Sequence, residues 1–190
     1  MNKNDKAQAL RAKIANAAIK LFLAEGFDQI TVDAIAAVAG VSRRNLFRYF
    51  ASKEDIAIFW TEITGPQLVN QLHEHSEDIR KQPVQAALDA VIRHVDQHNE
   101  LHQVSLAMGN LIENTPSLRA RNHEKYLSWE GLMADALIEK GTYPILGKMA
   151  AAIALAGLRL AVKEWLACKG SKPIADILKQ VYEPFINIKL

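Results

Sequence analysis

The sequence predicts an all-α fold of about nine helices, with a short N-terminal three-helix unit followed by a larger helical domain. Three observations lead there. Apolar residues recur at helical spacing through most of the chain, and no alternating run reads as a strand. Prolines and glycines punctuate that periodicity: Pro83, Pro116, Pro144 and Pro173 stand at starts, and Gly26, Gly141 and Gly170 just past ends. The run from Thr31 to Lys53 reads as two short helices about a tight turn, the helix-turn-helix geometry.

The first helix is expected over about Ala7 to Ala24, with Leu10, Ile14, Ala18 and Leu21 on one face. Thr31 caps the second, whose inward side is assigned Val32, Ile35 and Val38. Gly40 sits at the turn, and Ser42 caps a third helix on which Val41, Leu46 and Phe50 face the neighbouring helices. Ser52, followed by acids in the first turn, opens a fourth helix through Trp60, with a bend at Gly65-Pro66 and a continuation toward Ile79. A fifth helix follows Pro83 to about His98, and a sixth runs from Glu100 to about Glu113. The seventh spans Pro116 to Lys140, the eighth Pro144 to Lys169, and Pro173 opens the ninth. The boundary between the two domains is expected at residues 51 and 52.

Function is most legible in the third helix. Its exposed first turn carries Arg43, Arg44 and Asn45, donors that suit guanine edges, adenine edges and phosphates. These three are assigned to base edges. Thr31, Ser42, Phe47, Tyr49 and Lys53 are assigned to phosphates or to support of the helix, and Arg48 adds further charge. Overall charge is only +2, but residues 1–50 hold eight Lys/Arg against four acids, so the rest is slightly acidic. A basic head on a slightly acidic body suits a double-stranded DNA reader joined to a sensor. Residues 1–13 lack the apolar run of a signal peptide, and Met149 to Val162, interrupted by Arg159, is too short to span a bilayer. Those features place the chain in the cytoplasm. The single Cys168 excludes an internal disulfide framework and a Cys-based zinc finger.

The motifs A-x-x-L-F-x-x-x-G-F (Ala18, Leu21, Phe22, Gly26, Phe27), T-V-x-x-I-A-x-x-A-G-V-S and L-F-R-Y-F-x-S-K-E-D resemble the N-terminal domain of the TetR-type transcriptional regulators. The resemblance covers about residues 7 to 60. Where that family most often has a Lys-Gly-Thr-like sequence, this chain has Arg43-Arg44-Asn45, which alters the bases read. A second resemblance lies after residue 80. The run H-N-E-L-H-Q-V-S-L-A-M-G-N-L-I-E-N-T-P-S-L-R-A-R, then Trp129 and E-W-L-A, is similar to a C-terminal class with an acyl-CoA-like ligand-binding domain. The resemblance implies a repressor released by a small hydrophobic effector. It also implies a homodimer formed by helices near 144–169 and 173–190, reading an inverted repeat.

Candidate effector contacts are Trp60, Met108, Trp129, Met133, Met149 and Trp165, with Arg119, Arg121 or Arg159 for an anionic group. Taken singly, each apolar candidate is better explained by core packing, and Arg119 or Arg121 alone by a solvated helix surface. Arg159 differs because it interrupts an Ala-rich helix, where a charge must pair, reach solvent or meet a ligand. The small residues Ala150, Ala151, Ala154, Gly157 and Ala161, with Ile174, Ile177, Leu178, Val181, Phe185 and Ile188, are assigned to the dimer helices. His94, His98 and His102 recur at four-residue spacing and could ligate a metal. A helix junction at Asn99-Glu100 breaks that alignment, so no metal or cofactor is assigned. No G-x-G-x-x-G, P-loop, G-x-S-x-G or H-E-x-x-H motif supports an enzyme. A helical architectural DNA binder without effector remains the alternative.

Overall fold

A computed structural model of the protein describes residues 3–75, 79–97 and 102–186. Among the described residues the chain forms ten α-helices and no strand. They are α1 (Lys3–Glu25), α2 (Val32–Ala39), α3 (Arg43–Phe47), α4 (Lys53–Ala57), α5 (Thr64–His75), α6 (Pro83–Gln97), α7 (His102–Asn114), α8 (Pro116–Glu139), α9 (Pro144–Ala167) and α10 (Ile174–Ile186). A 3₁₀ segment, Phe59–Ile63, lies between α4 and α5.

The expected fourth helix is therefore not continuous. The Thr61 N–H and hydroxyl both donate to the Ile58 carbonyl, at 2.9 and 2.6 Å, closing a turn three residues long where an α-helix would need four. Gly65-Pro66 is not the bend either. Those residues lie in the first turn of α5, where proline's missing N–H costs nothing. The helix ends at His75, short of Ile79.

Two compact units result. The first comprises residues 1–62 together with Ala107–His123, the second half of α7 and the start of α8. It thus extends beyond residue 51. Ile56, Ala57 and Ile58 are fully buried in the same cluster as Ile14, Phe22, Ile35 and Leu46, and Ile112 and Leu118 join it. Polar anchors reinforce this core. Arg11 grips both carboxylate oxygens of Glu62 at 2.8 Å while its guanidinium lies 5.0 and 4.6 Å from the Phe50 and Phe59 ring centroids. Arg121 directs Nε and Nη2 at Oδ1 of the buried Asp55, each at 2.7 Å. Arg121, a candidate for an anionic group of a ligand, is thus paired with Asp55 inside the first unit.

The second unit comprises Ile63–Leu106 and residues 124–190. Helix α6 packs against α5, α9 and α10 around Leu88, Val91, Leu137, Leu155 and Leu178. The small residues of α9 are used inside this unit: Ala150, Ala151, Ala154 and Ala161 are fully buried. Gly157 lies directly under Tyr182, whose ring leaves no room for a Cβ there. That closeness lets the Tyr182 hydroxyl donate to the Ala154 carbonyl at 2.7 Å, and burial pushes its pKa far up. The stripe permits close approach by α10 of the same chain. Ile177 and Leu178 likewise face their own core, while the Phe185 side chain and Ile188 lie outside the described residues. The α9 helix has 24 residues and is long and apolar enough to cross a membrane, which removes the length argument made from Met149–Val162. Its buried side packs into the unit's core. His94 is buried on α6, whereas His98 and the Asn99–Glu100 junction lie outside the described residues.

Candidate nucleic-acid interface

The helix-turn-helix is built from local signals. The Thr31 hydroxyl accepts the Ala34 N–H at 3.2 Å, fixing the start of α2. At its end Gly40 adopts φ +67°, so that the Val41 N–H reaches the Ala36 carbonyl and the Gly40 N–H reaches Ala37. Ser42 then accepts the Asn45 N–H at 3.1 Å and starts α3. Ile35, Ala36 and Ala39 form the inward side of α2, and Val32 is half-buried. Val38, assigned inward from its spacing, is 59% exposed, because the buried arc is centred one residue away.

Helix α3 is short, ending at Phe47. Arg48 and Tyr49 bond back to Asn45 and Leu46 in tighter turns, and Phe50 drops into the core against Phe59. Leu46 is fully buried, so the opposite side of α3 is held outward. That outward side carries Arg43, Arg44, Phe47 and Arg48 exposed, with Asn45 and Tyr49 half-buried. Arg43 pairs with Asp33 of α2 at 2.7 Å and lies over the Phe47 ring. Arg48 donates to the Tyr49 hydroxyl at 3.2 Å. The hydroxyl protons of Thr31 and Ser42 are not used by capping and can donate to phosphate. Lys53 has a different position from the one expected of a free phosphate anchor. Its ammonium donates to the Phe27 and Ile30 carbonyls at 2.9 and 3.0 Å and sits 4.1 Å from the Phe27 ring centroid. Lys53 ties the loop before α2 to the start of α4 and keeps one donor to spare.

The effector candidates divide between the units. Trp129, Met133 and Trp165 are buried together in the core of the second unit. Arg159 of α9 stands over the ring of Tyr126, which in turn lies 4.7 Å from Trp129. Trp60, Met108 and Arg119 belong to the first unit. Trp60 is partly exposed, Met108 is buried, and Arg119 donates to the Glu113 carbonyl at 3.2 Å on the surface. Among the described residues no cluster of three or more His, Cys, Asp or Glu could hold a metal ion.

Comparison with known proteins now bears on this arrangement. Residues 14–58 match the model for bacterial regulatory proteins of the tetR family, and residues 81–185 match that for the MftR C-terminal domain. The chain belongs to the TetR family of transcriptional regulators. A protein of Mycobacterium tuberculosis named as a mycofactocin biosynthesis transcriptional regulator, MftR, is 35% identical over 64% of this chain and 60% of its own length. The HTH-type transcriptional regulator TcmR of Streptomyces glaucescens is 32% identical over 68% of this chain and 59% of its own. The chain thus matches about three fifths of the length of these relatives. Among solved structures, the TetR-family repressor FadR of Thermus thermophilus, in complex with lauroyl-CoA, shares the fold. Its TM-score is 0.60 at 23% identity, over 91% of each chain. The matched families and relatives are transcriptional regulators, not enzymes.

Several residues of this TetR-family regulator escaped sequence reasoning. Asp33 faces Arg43 across the turn, ten residues away, and no local pattern announces the pair. Asp55 and Arg121 are 66 residues apart. Tyr126 had a usable signal, since it lies three residues before Trp129 on the same helix and so shares its face.

Proposed function

We propose that this chain is a dimeric, ligand-responsive repressor whose α3 helices read a palindromic operator and whose second unit binds a small hydrophobic effector. The donor set of exposed Arg43 and Arg44 and half-buried Asn45, on a helix anchored by the fully buried Leu46, carries the reading. Those side chains suit base edges, and Thr31, Ser42, Tyr49, Arg48 and the spare Lys53 donor suit the flanking phosphates. Residues 1–51, joined by Lys53 at the start of α4, form the DNA-contacting part, and the rest of the segment from 52 onward carries effector binding and dimerisation.

Dimerisation is supported by α9. Its outer side exposes Ile145, Met149, Ala156 and Leu160 at helical spacing, an apolar stripe that water leaves uncompensated. The outer side of α10 is polar, with Asp176, Lys179, Gln180 and Glu183 exposed. Helix α9 therefore supplies the apolar part of the contact and α10 its rim. A two-fold pair would set its reading heads about one DNA turn apart, ~34–36 Å.

The effector reading rests on the aromatic and sulfur-containing core of the second unit and on the lauroyl-CoA complex of the structurally similar FadR. An elongated apolar molecule, an acyl thioester among the candidates, would favour a head spacing that misses successive grooves. By linkage, DNA then weakens effector binding by the same factor. A soluble, cytoplasmic regulator follows from this reading.

The test is operator affinity, measured on a duplex selected from a random library, with and without an acyl effector. Weakened binding with effector supports induction. Equal affinity removes it and leaves an architectural binder, while tighter binding makes the effector a co-repressor. A mass in solution equal to one chain would remove the dimer.

A further inference from the structure

At the edge of the second unit's core, the half-buried Arg159 keeps one guanidinium nitrogen shielded from water and incompletely satisfied. Arg159 projects from the middle of α9, flanked one turn away by the buried Leu155 and the half-buried Val162. Its Nη1 is fully buried and has no hydrogen-bond partner among the described residues. No carboxylate pairs with the guanidinium among the described residues. Its one described contact is with the Tyr126 ring, at 5.7 Å from the centroid, and Tyr126 itself packs tilted against Trp129.

A lysine so placed could shed its proton, but a guanidinium cannot, so the charge persists whatever the surroundings. The aromatic ring attracts that charge without accepting the in-plane N–H bonds. What remains unfilled is a planar acceptor that carries negative charge, which is the complement of a guanidinium edge. Tyr126 belongs to the apolar core of this unit, which also includes Trp129, Met133, Leu158 and Trp165.

We propose that Arg159 is the receptor for a carboxylate at the end of an amphipathic ligand whose apolar body lies against Trp129, Met133 and Trp165. This rests on the second unit being the effector-binding part. It deepens that reading by fixing the ligand's polar end: a compact oxyanion fits a buried Nη1 on an apolar wall better than a bulky head group does.

The experiment compares dodecanoate, 1-dodecanol and lauroyl-CoA on the full chain at neutral pH, read by tryptophan fluorescence, since Trp129 and Trp165 lie in that core. Wild type should bind dodecanoate at least tenfold tighter than dodecanol. Arg159→Gln should reduce that ratio to within about twofold while keeping dodecanol affinity, and Arg159→Lys should retain part of it. Equal affinity of wild type for acid and alcohol would overturn the carboxylate receptor and leave the apolar site standing. A preference surviving in Arg159→Gln overturns it equally. If lauroyl-CoA binds tighter than the free acid in an Arg159-dependent way, the thioester or its phosphates occupy the position and the carboxylate assignment fails. Binding of none of the three removes both this inference and the effector reading. The wild-type comparison of acid with alcohol decides the matter even if Arg159→Gln does not fold.

Discussion

The ion pair between Arg43 and Asp33 makes a sharp test of how the recognition helix works. At 2.7 Å, with side chains 62% and 61% exposed, the pair contributes about 0–1 kcal/mol to stability. A bidentate arginine–guanine contact discriminates by about 1–3 kcal/mol. Arg43 should therefore leave Asp33 when an operator offers a guanine edge, and Asp33 restrains that exchange. Arg43→Ala should weaken the selected operator by about 5- to 150-fold, the same 1–3 kcal/mol, and relax preference at one base pair of each half-site. Asp33→Asn should tighten binding about two- to fivefold, because it frees the arginine and removes a negative charge close to phosphates. Combined with Arg43→Ala, the Asp33 change should lose most of its effect, as coupled residues do in a double-mutant cycle. Fluorescence anisotropy on operators substituted at every position provides all four affinities. The reasoning fails if Arg43→Ala leaves the base preferences unchanged. It fails equally if Asp33→Asn loosens binding, since Asp33 would then be holding Arg43 in its DNA-bound pose.

Three further outcomes follow from the packing. Gly157→Ala should destabilise the chain by about 2–4 kcal/mol in urea unfolding, because overpacking and loss of the Tyr182 hydrogen bond exceed the ~1 kcal/mol gain in helix propensity; a more stable variant would refute the close approach. Lys53→Met keeps the packed stem and removes two carbonyl contacts, so stability should fall by about 1–2 kcal/mol before any effect on DNA is considered. Unchanged unfolding with weaker binding to all sequences would return Lys53 to the role of a phosphate anchor. Arg121→Met should cost more stability than Asp55→Asn, about 2–4 against about 1 kcal/mol, because it leaves a buried carboxylate unpaired; the reverse order in paired melts would remove the buried-charge argument.

The parts of this fold that local chemistry controls were legible from the chain. The Thr31 and Ser42 caps, the Ser52 cap of α4 and the left-handed Gly40 each act within four residues. Pro83, Pro116 and Pro144 each occupy the first residue of their helix. What stayed hidden depends on distant partners. The run from Ile56 to Ile63 is apolar enough to pass for continuous helix, and only the Thr61 back-bond to Ile58 shows the tightening. The small residues of α9 announced a close neighbour without saying whether it was Tyr182 of the same chain or a second copy. Among the proposed site residues, exposure of Arg43 and Arg44 follows from the cap and the buried Leu46. The restraint by Asp33 and the carbonyl anchoring of Lys53 needed three dimensions.

The inclusion of residues 107–123 in the first compact unit limits how this protein can be taken apart. A transplant of residues 1–62 onto a foreign sensor would leave behind Ile112, Leu118 and Arg121. It would open the floor beneath Ile56 and Ile58 and strand Asp55 without its guanidinium. During synthesis the same interdependence delays completion of the head until the ribosome has delivered residue 121, well after the three leading helices, which end at Phe47. Modularity here belongs to the surface that faces DNA. Beneath it, the head is stitched together from both ends of a hundred-residue span, and exchange of operator specificity is best done by replacing side chains on α3.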